Sequence, residues 1–354
     1  MPRAYTAITT LVTTKLQSAG TADYSVAEVD YQIEETLKEF ALYRPHLVPQ
    51  TFKLESRFGT DVTGTADKLT DLVKAQFLAA DAANEKVIHN TTDNTWAVAL
   101  TQDSASVLSI SADIMDANEI YRIYNKRCWN KKQIYLGDLV DYGDIAAVEY
   151  PFGTKRNWRL YGDVLELDVE NGVIPDSDST LTTLNDIDVL VWFNRPHVLS
   201  QLTDWNGKMA ATAAAAATSI SMTSLQSAGT IETGEEFWVE NHRTLYVVNA
   251  SATIASSTAA VTFDPPLEAA ISSTAWVTKF RQSSLEPQDE EIFAELAAGQ
   301  LLRSKATKFP NIVNIGGAGV SRTFSQLGTD MVESARKRLK QGTPPTSKRR
   351  YSRE

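Results

Sequence analysis

At 354 residues, 43% apolar and 22% charged, the chain is long enough for two or three domains and too apolar to be disordered throughout. Its one cysteine, Cys128, excludes an intramolecular disulfide framework and a cysteine-built zinc site; no run approaches the ~18 apolar residues of a membrane span, and the start, Met1-Pro2-Arg3-Ala4-Tyr5-Thr6, lacks the apolar core of a signal peptide. The net charge of −10 is uneven, because residues 336–354 hold eight basic side chains against Glu354 alone, or +7, leaving −17 on everything before them. Such a body repels nucleic acid, while the tail suits an acidic protein surface or phosphates, or serves only to keep the end solvated.

In chain order, a helix over Ile8–Leu16 precedes a better-marked one. Ser25 and Glu28 have capping-box spacing and Tyr24 can staple onto Val29, so the second helix starts near Ser25. Val26, Val29, Ile33, Leu37 and Phe40 then recur three and four apart as a packing stripe, and Pro45 stops it. From about Thr51 the texture changes to short strands joined by Asn, Asp, Ser and Thr turns, giving a β unit over 67–125.

The central stretch, Ile134 to Val198, reads as antiparallel strands. Val164, Glu166 and Asp168 alternate with Leu165, Leu167 and Val169, so one face is expected to be apolar and the other wet. A second Ser/Thr/Ala-rich β segment runs from Ala210 to Lys279, in which the Ala213–Ala217 tract is too short to nucleate a helix. Ile114, Ala117, Glu119 and Ile120 match Ile231, Gly234, Glu236 and Phe237 at constant offset, an echo of duplication or a coincidence of β-rich sequence. Pro287 with Asp289, Glu290 and Glu291 opens a helix whose buried face includes Ile292, Phe293 and Leu296 and which ends at Pro310. A last helix runs from about Thr323 to Leu339, and Pro344-Pro345 keeps the tail from extending it.

Chemistry-bearing motifs are sparse. His46, His89, His197 and His242 sit in four separate segments, none at helical ligand spacing. Asp176-Ser177-Asp178-Ser179-Thr180 starts like a calcium loop, but Leu181 stands where the turn needs Gly and no closing Glu follows. Gly316-Gly317-Ala318-Gly319 lies between helices, where neither a dinucleotide fingerprint nor a P-loop belongs. Glu290, Glu291 and Glu295 are explained by the helix dipole and solubility. No residue is assigned as catalytic and no cofactor is expected. Arg44-Pro45-His46 and Arg195-Pro196-His197 echo each other, and each marks the exit from a regular element.

N-terminal helices, then "VEYPFGTKRNWRLYGDVLELDV" and "DIDVLVWFNRPHVL", then "PQDEEIFAELAAGQLL" and a final helix with a basic tail: this order resembles the head-to-tail adaptor (connector) proteins of tailed bacteriophages. Phe193-Asn194-Arg195-Pro196-His197 and Pro287-Gln288-Asp289-Glu290-Glu291 are similar to that family's strand ending in Pro-His and helix beginning Pro-x-x-x-Glu. About half the chain is covered, and the chain departs from a small adaptor by its two β units, which read as insertions.

The resemblance implies an α+β fold. Its helical adaptor core would be built from N-terminal (1–57) and C-terminal (286–340) helices around a central antiparallel β region (130–205). Two small inserted β domains (67–125 and 210–280) and a basic flexible tail (341–354) complete it. It implies a homo-oligomeric ring, twelve-fold in the family, in the virion neck, assembled in the host cytoplasm. Its partners would be the portal protein, a downstream tail or nozzle protein, and DNA passing without sequence-specific contact. Lys348, Arg349, Arg350, Tyr351 and Arg353 would then be the portal-docking tail. The competing readings are a β-rich adhesion or carbohydrate-binding virion protein, with exposed aromatics such as Trp238, and a hydrolase assembled from scattered carboxylates.

Overall fold

A computed structural model describes residues 5–16, 24–139, 143–170, 172–176, 187–199, 205–279, 284–308 and 319–342. The fold is mixed α and β, and sheets predominate, with 36% of the chain in strands against 25% in helices. It divides into two compact units, one of residues 1–48, 142–144 and 194–354, the other of 49–141 and 145–193. Helix α1 spans Tyr5–Lys15 and α2 spans Val26–Tyr43. Ser25 caps α2 reciprocally: its Oγ accepts from Glu28 N at 3.3 Å while Glu28 Oε2 accepts from Ser25 N at 3.0 Å. Val29, Ile33 and Phe40 are buried, and Leu37 packs half-buried at the margin. Val26 departs from the expected stripe, with 57% of its surface exposed. It is in phase with the others but sits in the first turn, where Tyr24 joins the hydrophobic cluster in its place.

The second unit holds three sheets. Strands β1 (His46–Lys53), β13 (Asp188–Arg195), β9 (Ile145–Glu149) and β10 (Lys155–Arg156) lie in that order, and β1 and β13 each begin or end in the first unit. A six-stranded sheet has the order β2 (Phe58–Thr60), β7 (Ile120–Tyr124), β4 (Val87–Asn90), β5 (Thr95–Ser104), β6 (Val107–Ile110) and β3 (Lys68–Thr70), with helix α3 (Ala79–Ala83) beside it. This β body starts at Phe58 and not at Asp67, because Phe58-Gly59-Thr60 is too short to show alternation. A three-stranded sheet follows, β11 (Trp158–Tyr161), β12 (Val164–Leu167) and β8 (Gln133–Tyr135), with Gly162 at φ +60 turning between β11 and β12. The expected wet face of β12 is wet only in part: Asp168, just past the strand, is exposed, but Val164 is buried against Tyr124 and Cys128, and Glu166 accepts from Gln133 Nε2 at 2.6 Å. Burial pushes the Cys128 thiol up to about 12.

Beneath the six-stranded sheet lies a buried charge network. Arg57 donates to both Glu55 oxygens at 3.1 and 2.9 Å and to both Asp81 oxygens at 3.0 and 2.5 Å, and Lys86 also pairs with Glu55. Burial alone would raise the Glu55 carboxyl, but Lys86 and Arg57 together hold it at about 2. Asp81 also accepts from Leu78 N at 2.8 Å, so the network seats α3.

The chain then returns to the first unit. Strands β14 (Trp205–Met209), β15 (Ser219–Thr223), β17 (Glu236–Val239), β18 (Tyr246–Ala250), β20 (Ala259–Asp264) and β21 (Trp276–Lys279) close a barrel, and β16 (Ala228–Ile231) pairs with β19 (Ala252–Ala255) beside it. Alternation is plain, as in β20, whose Ala259, Val261 and Phe263 point inward. Phe237, Tyr246 and Phe263 meet with ring centroids 5.3 to 5.6 Å apart. Ala213, from the alanine tract, bridges to Ile271 and packs on the barrel. The sequence echo does not place equivalent residues: Ile120 is 49% exposed on β7, whereas Phe237 is wholly buried in the barrel.

Helices α4 (Pro287–Lys308) and α5 (Gly319–Gly342) complete the first unit, α5 starting earlier than expected. Ile292, Phe293, Leu296 and Leu301 join Ile8, Val12, Val29, Ile33 and Phe40 in one hydrophobic cluster, so both ends of the chain share a core. α4 and α5 cross at Gly299 and Gly328. A Cβ on Gly328 would stand 2.7 Å from the Gly299 carbonyl oxygen, and one on Gly299 2.9 Å from that of Gly328. Alanine at 328 would gain about 1 kcal/mol of helix propensity. The forced separation, with Val332, Ala335 and Leu339 pulled from the cluster, costs about 1–3 kcal/mol. Gly328→Ala is therefore expected to lower the urea midpoint of the helical circular-dichroism signal, and Gly328→Leu to lower it much further; unchanged midpoints would exclude so close a crossing.

Candidate functional site

The two Arg-Pro-His motifs converge. Pro45 follows the end of α2, where Arg44 N bonds the Phe40 carbonyl at 3.0 Å, and Pro196 follows β13. His197 Nε2 donates to the Arg44 carbonyl at 2.7 Å, and its Nδ1 lies 3.0 Å from Ser284 Oγ. A carbonyl can only accept, so Nε2 carries the proton and Nδ1 accepts from Ser284. Val198 N in turn donates to Ser284 Oγ at 2.8 Å. The His46 ring lies 5.7 Å from that of His197 and donates from Nε2 to Glu236 Oε2 at 2.7 Å. Arg195 Nη1 approaches the other Glu236 oxygen at 3.5 Å, and the Arg44 guanidinium pairs with Asp289 in the first turn of α4. Phe40 packs edge-on against His197, with centroids 5.5 Å apart.

Each part has a local reason to be there. The prolines end their elements and force extended backbone. The helix dipole favours Asp289 at the start of α4, and that carboxylate then neutralises Arg44. Burial, opposed only in part by the bond donated to the Arg44 carbonyl and reinforced by His46, holds His197 down to about 4, so it is neutral at physiological pH. The Ser284–His197 pair has the separation a nucleophile and base require. Both side chains are buried and both nitrogens of His197 bind protein, so the pair fastens chain segments together.

Of the histidines, expected apart, His46 and His197 meet, and both His197 nitrogens, one of which a metal would need, are already committed. A different set could hold a cation: Asp93, Asp116 and Glu119 offer oxygens within 4.8 Å of one another. Asn90 Nδ2 donates to Glu119 at 2.7 Å, and the hydrogen bond with Glu119 raises the Asp93 carboxyl. Asp176, from the calcium-like run, is instead bound by Arg122 and Lys131, while 177–180 lie outside the described residues. Of the α4 carboxylates assigned to solubility, Glu290 is buried, Glu291 pairs with Lys15 at 2.9 Å and Glu295 with Arg338 at 2.6 Å.

Among the residues expected to pack helices, Val29, Ile33, Phe40, Ile292, Phe293 and Leu296 lie together, Leu37 is marginal and Val26 is outside. The tail residues Lys348, Arg349, Arg350, Tyr351 and Arg353, and Gly316–Ala318, lie outside the described residues. Sequence reasoning missed Glu236 and Ser284, which no spacing connects to the Arg-Pro-His motifs. In comparisons with known proteins, no family model, no curated protein and no solved structure matches this chain.

The buried imidazole predicts a pH dependence. Between about pH 6.5 and 4 the unfolded chain takes up a proton at this position that the folded chain does not, so stability is full above that window and falls as pH falls through it, by about 3 kcal/mol. Urea unfolding followed by the helical signal from pH 7 to 4 should show a shallower decline in His197→Gln, which keeps hydrogen-bonding capacity without titrating. Parallel declines would remove His197 as the cause.

Proposed function

We propose that this chain is a head-to-tail adaptor of a tailed bacteriophage virion. Copies would form a ring, twelve-fold by the resemblance, between the portal and the next tail or nozzle protein, around the DNA passage. The observation that carries this reading is the helical cluster built from both ends of the chain, with β bodies inserted between them. The two motifs on which the resemblance rests also meet, His197 from the first and Asp289 from the second, joined through Arg44, whose carbonyl His197 bonds and whose guanidinium pairs with Asp289. An acidic body suits a DNA channel, since few free cations hold the phosphates. No helix among the described residues is long and apolar enough to cross a membrane.

One outward face of α2 fits a subunit contact. Tyr31 and Leu42 stand eleven residues apart, three helical turns, and are 64% and 83% exposed, with Glu34 and Lys38 between them. Electron microscopy of the purified chain, alone and with its portal, is expected to show rings that Leu42→Glu abolishes without changing the thermal midpoint. Truncation after Gly342 should leave a folded protein that no longer co-sediments with portal. A chain that stays monomeric at micromolar concentration even with portal present would overturn the adaptor reading, and undiminished attachment of the truncated chain would remove the tail from docking.

A further inference from the structure

The registers of the six-stranded sheet set four side chains in a row across its outer face. Trp96 on β5 is opposite His89 on β4, His89 is opposite Arg122 on β7, and Arg122 is opposite Phe58 on β2. The next residues along these strands, Ala97, Ile88 and Ile123, point into the core, so the row faces the other way. His89 and Trp96 are stacked, with ring centroids 3.8 Å apart and planes 6° apart, and the ring of Tyr124 lies 6.0 Å from the indole. The stack ends in an indole that keeps 41% of its surface in water.

At the other side of the row stands a fixed polar fork. Arg122 donates from Nη1 and Nη2 to the two Asp176 oxygens at 3.0 and 3.3 Å, and Lys131 Nζ binds the same carboxylate at 2.8 Å. The Arg122 guanidinium also lies 5.4 Å from the centre of the Phe58 ring, so it is held on two sides. His89 Nε2 is tied to Asn94 Oδ1 at 3.0 Å, which fixes the ring beneath the indole. The side chains that would meet a ligand are thus ordered before it arrives, which reduces the entropy lost on binding.

We propose that this row is a saccharide-binding platform, on which the C–H face of a pyranose lies against the Trp96 indole and hydroxyls of the same or the next sugar bond to the Arg122–Asp176 fork. Two strand spacings separate Trp96 from Arg122, about 10 Å, which is the reach of two or three linked sugars. Charge argues for this occupant over a nucleic acid. A polyanion needs several uncommitted cations along its path, and here Arg122 and Lys131 share Asp176, leaving one net positive charge. A sugar needs an apolar face beside fixed donors and acceptors, and the row supplies both. The proposal does not depend on the ring reading, since it concerns the β body alone.

The test uses the full-length chain titrated with two- to four-sugar fragments of bacterial surface polysaccharides, beside an oligothymidylate, by calorimetry and ligand-observed NMR. Saturable binding of a fragment is expected, weakened about tenfold or more by Trp96→Ala with an unchanged thermal midpoint. Asp176→Asn, which frees Arg122, should weaken it as well, while Trp276→Ala on the barrel should leave it unchanged. The proposal is overturned if no fragment binds at up to about 10 mM, if Trp96→Ala binds as well as the parent, or if only the oligothymidylate binds, with salt-sensitive affinity.

Discussion

One neutral imidazole stands where the chain leaves its helices and where it comes back. His197 bonds the last carbonyl of α2's exit on one side and the hydroxyl before α4 on the other, with Phe40 against its ring. These three segments are distant in sequence, and tertiary contacts hold them in register, the two His197 bonds and the Arg44–Asp289 pair among them. Both bonds are open to a charged imidazole as well, since the Ser284 oxygen has two lone pairs and its proton can turn to the Val198 carbonyl, so it is burial that keeps His197 neutral. Desolvation sets the charge, and the Arg44 carbonyl, which can only accept, sets the tautomer that joins the segments flanking α2 and α4.

The two units use buried charge differently. Around Arg57 the carboxylates of Glu55 and Asp81 and the ammonium of Lys86 form a closed set, each group hydrogen-bonded, and the whole lies under a β body with α3 seated on it. Such a network contributes little net stability over an apolar core of equal volume, but removing one member leaves a charge without its partner and is costly. In the first unit the partners are split between elements, Arg44 with Asp289 as an ion pair and His46 with Glu236 as a hydrogen bond, so that each also joins one segment to another.

Much of this was legible in the sequence. The capping box at Ser25, the stripe through Ile33 and Phe40, and the acidic start of α4 are local signals, and local physics decides them. That the segment from Ala210 to Lys279 is β was legible for the same reason, while the closure of its strands into a barrel was not. What could not be read is non-local. Val26 has the right phase and the wrong neighbours, since which residue closes the end of a cluster depends on what packs there. Val164 sits on the side of β12 that alternation assigns to water, yet a second sheet covers it. Glu236 and Ser284 carry no motif at all, and only the closing of the barrel and the return of the chain to α4 bring them to the histidines. The stacked row on the six-stranded sheet was equally hidden, because His89, Trp96 and Arg122 acquire meaning only through strand register.

Cys128 gives the β body an internal clock. It is the chain's one thiol, it is buried between Tyr124 and Val164, and its proton is held far above the usual thiol range. A thiol in that state is nearly inert to alkylating reagents, which attack the thiolate. Modification must wait for the three-stranded sheet to part from β7, so the rate at which a maleimide takes up Cys128 in the native chain reports how often that contact opens, without a single engineered residue.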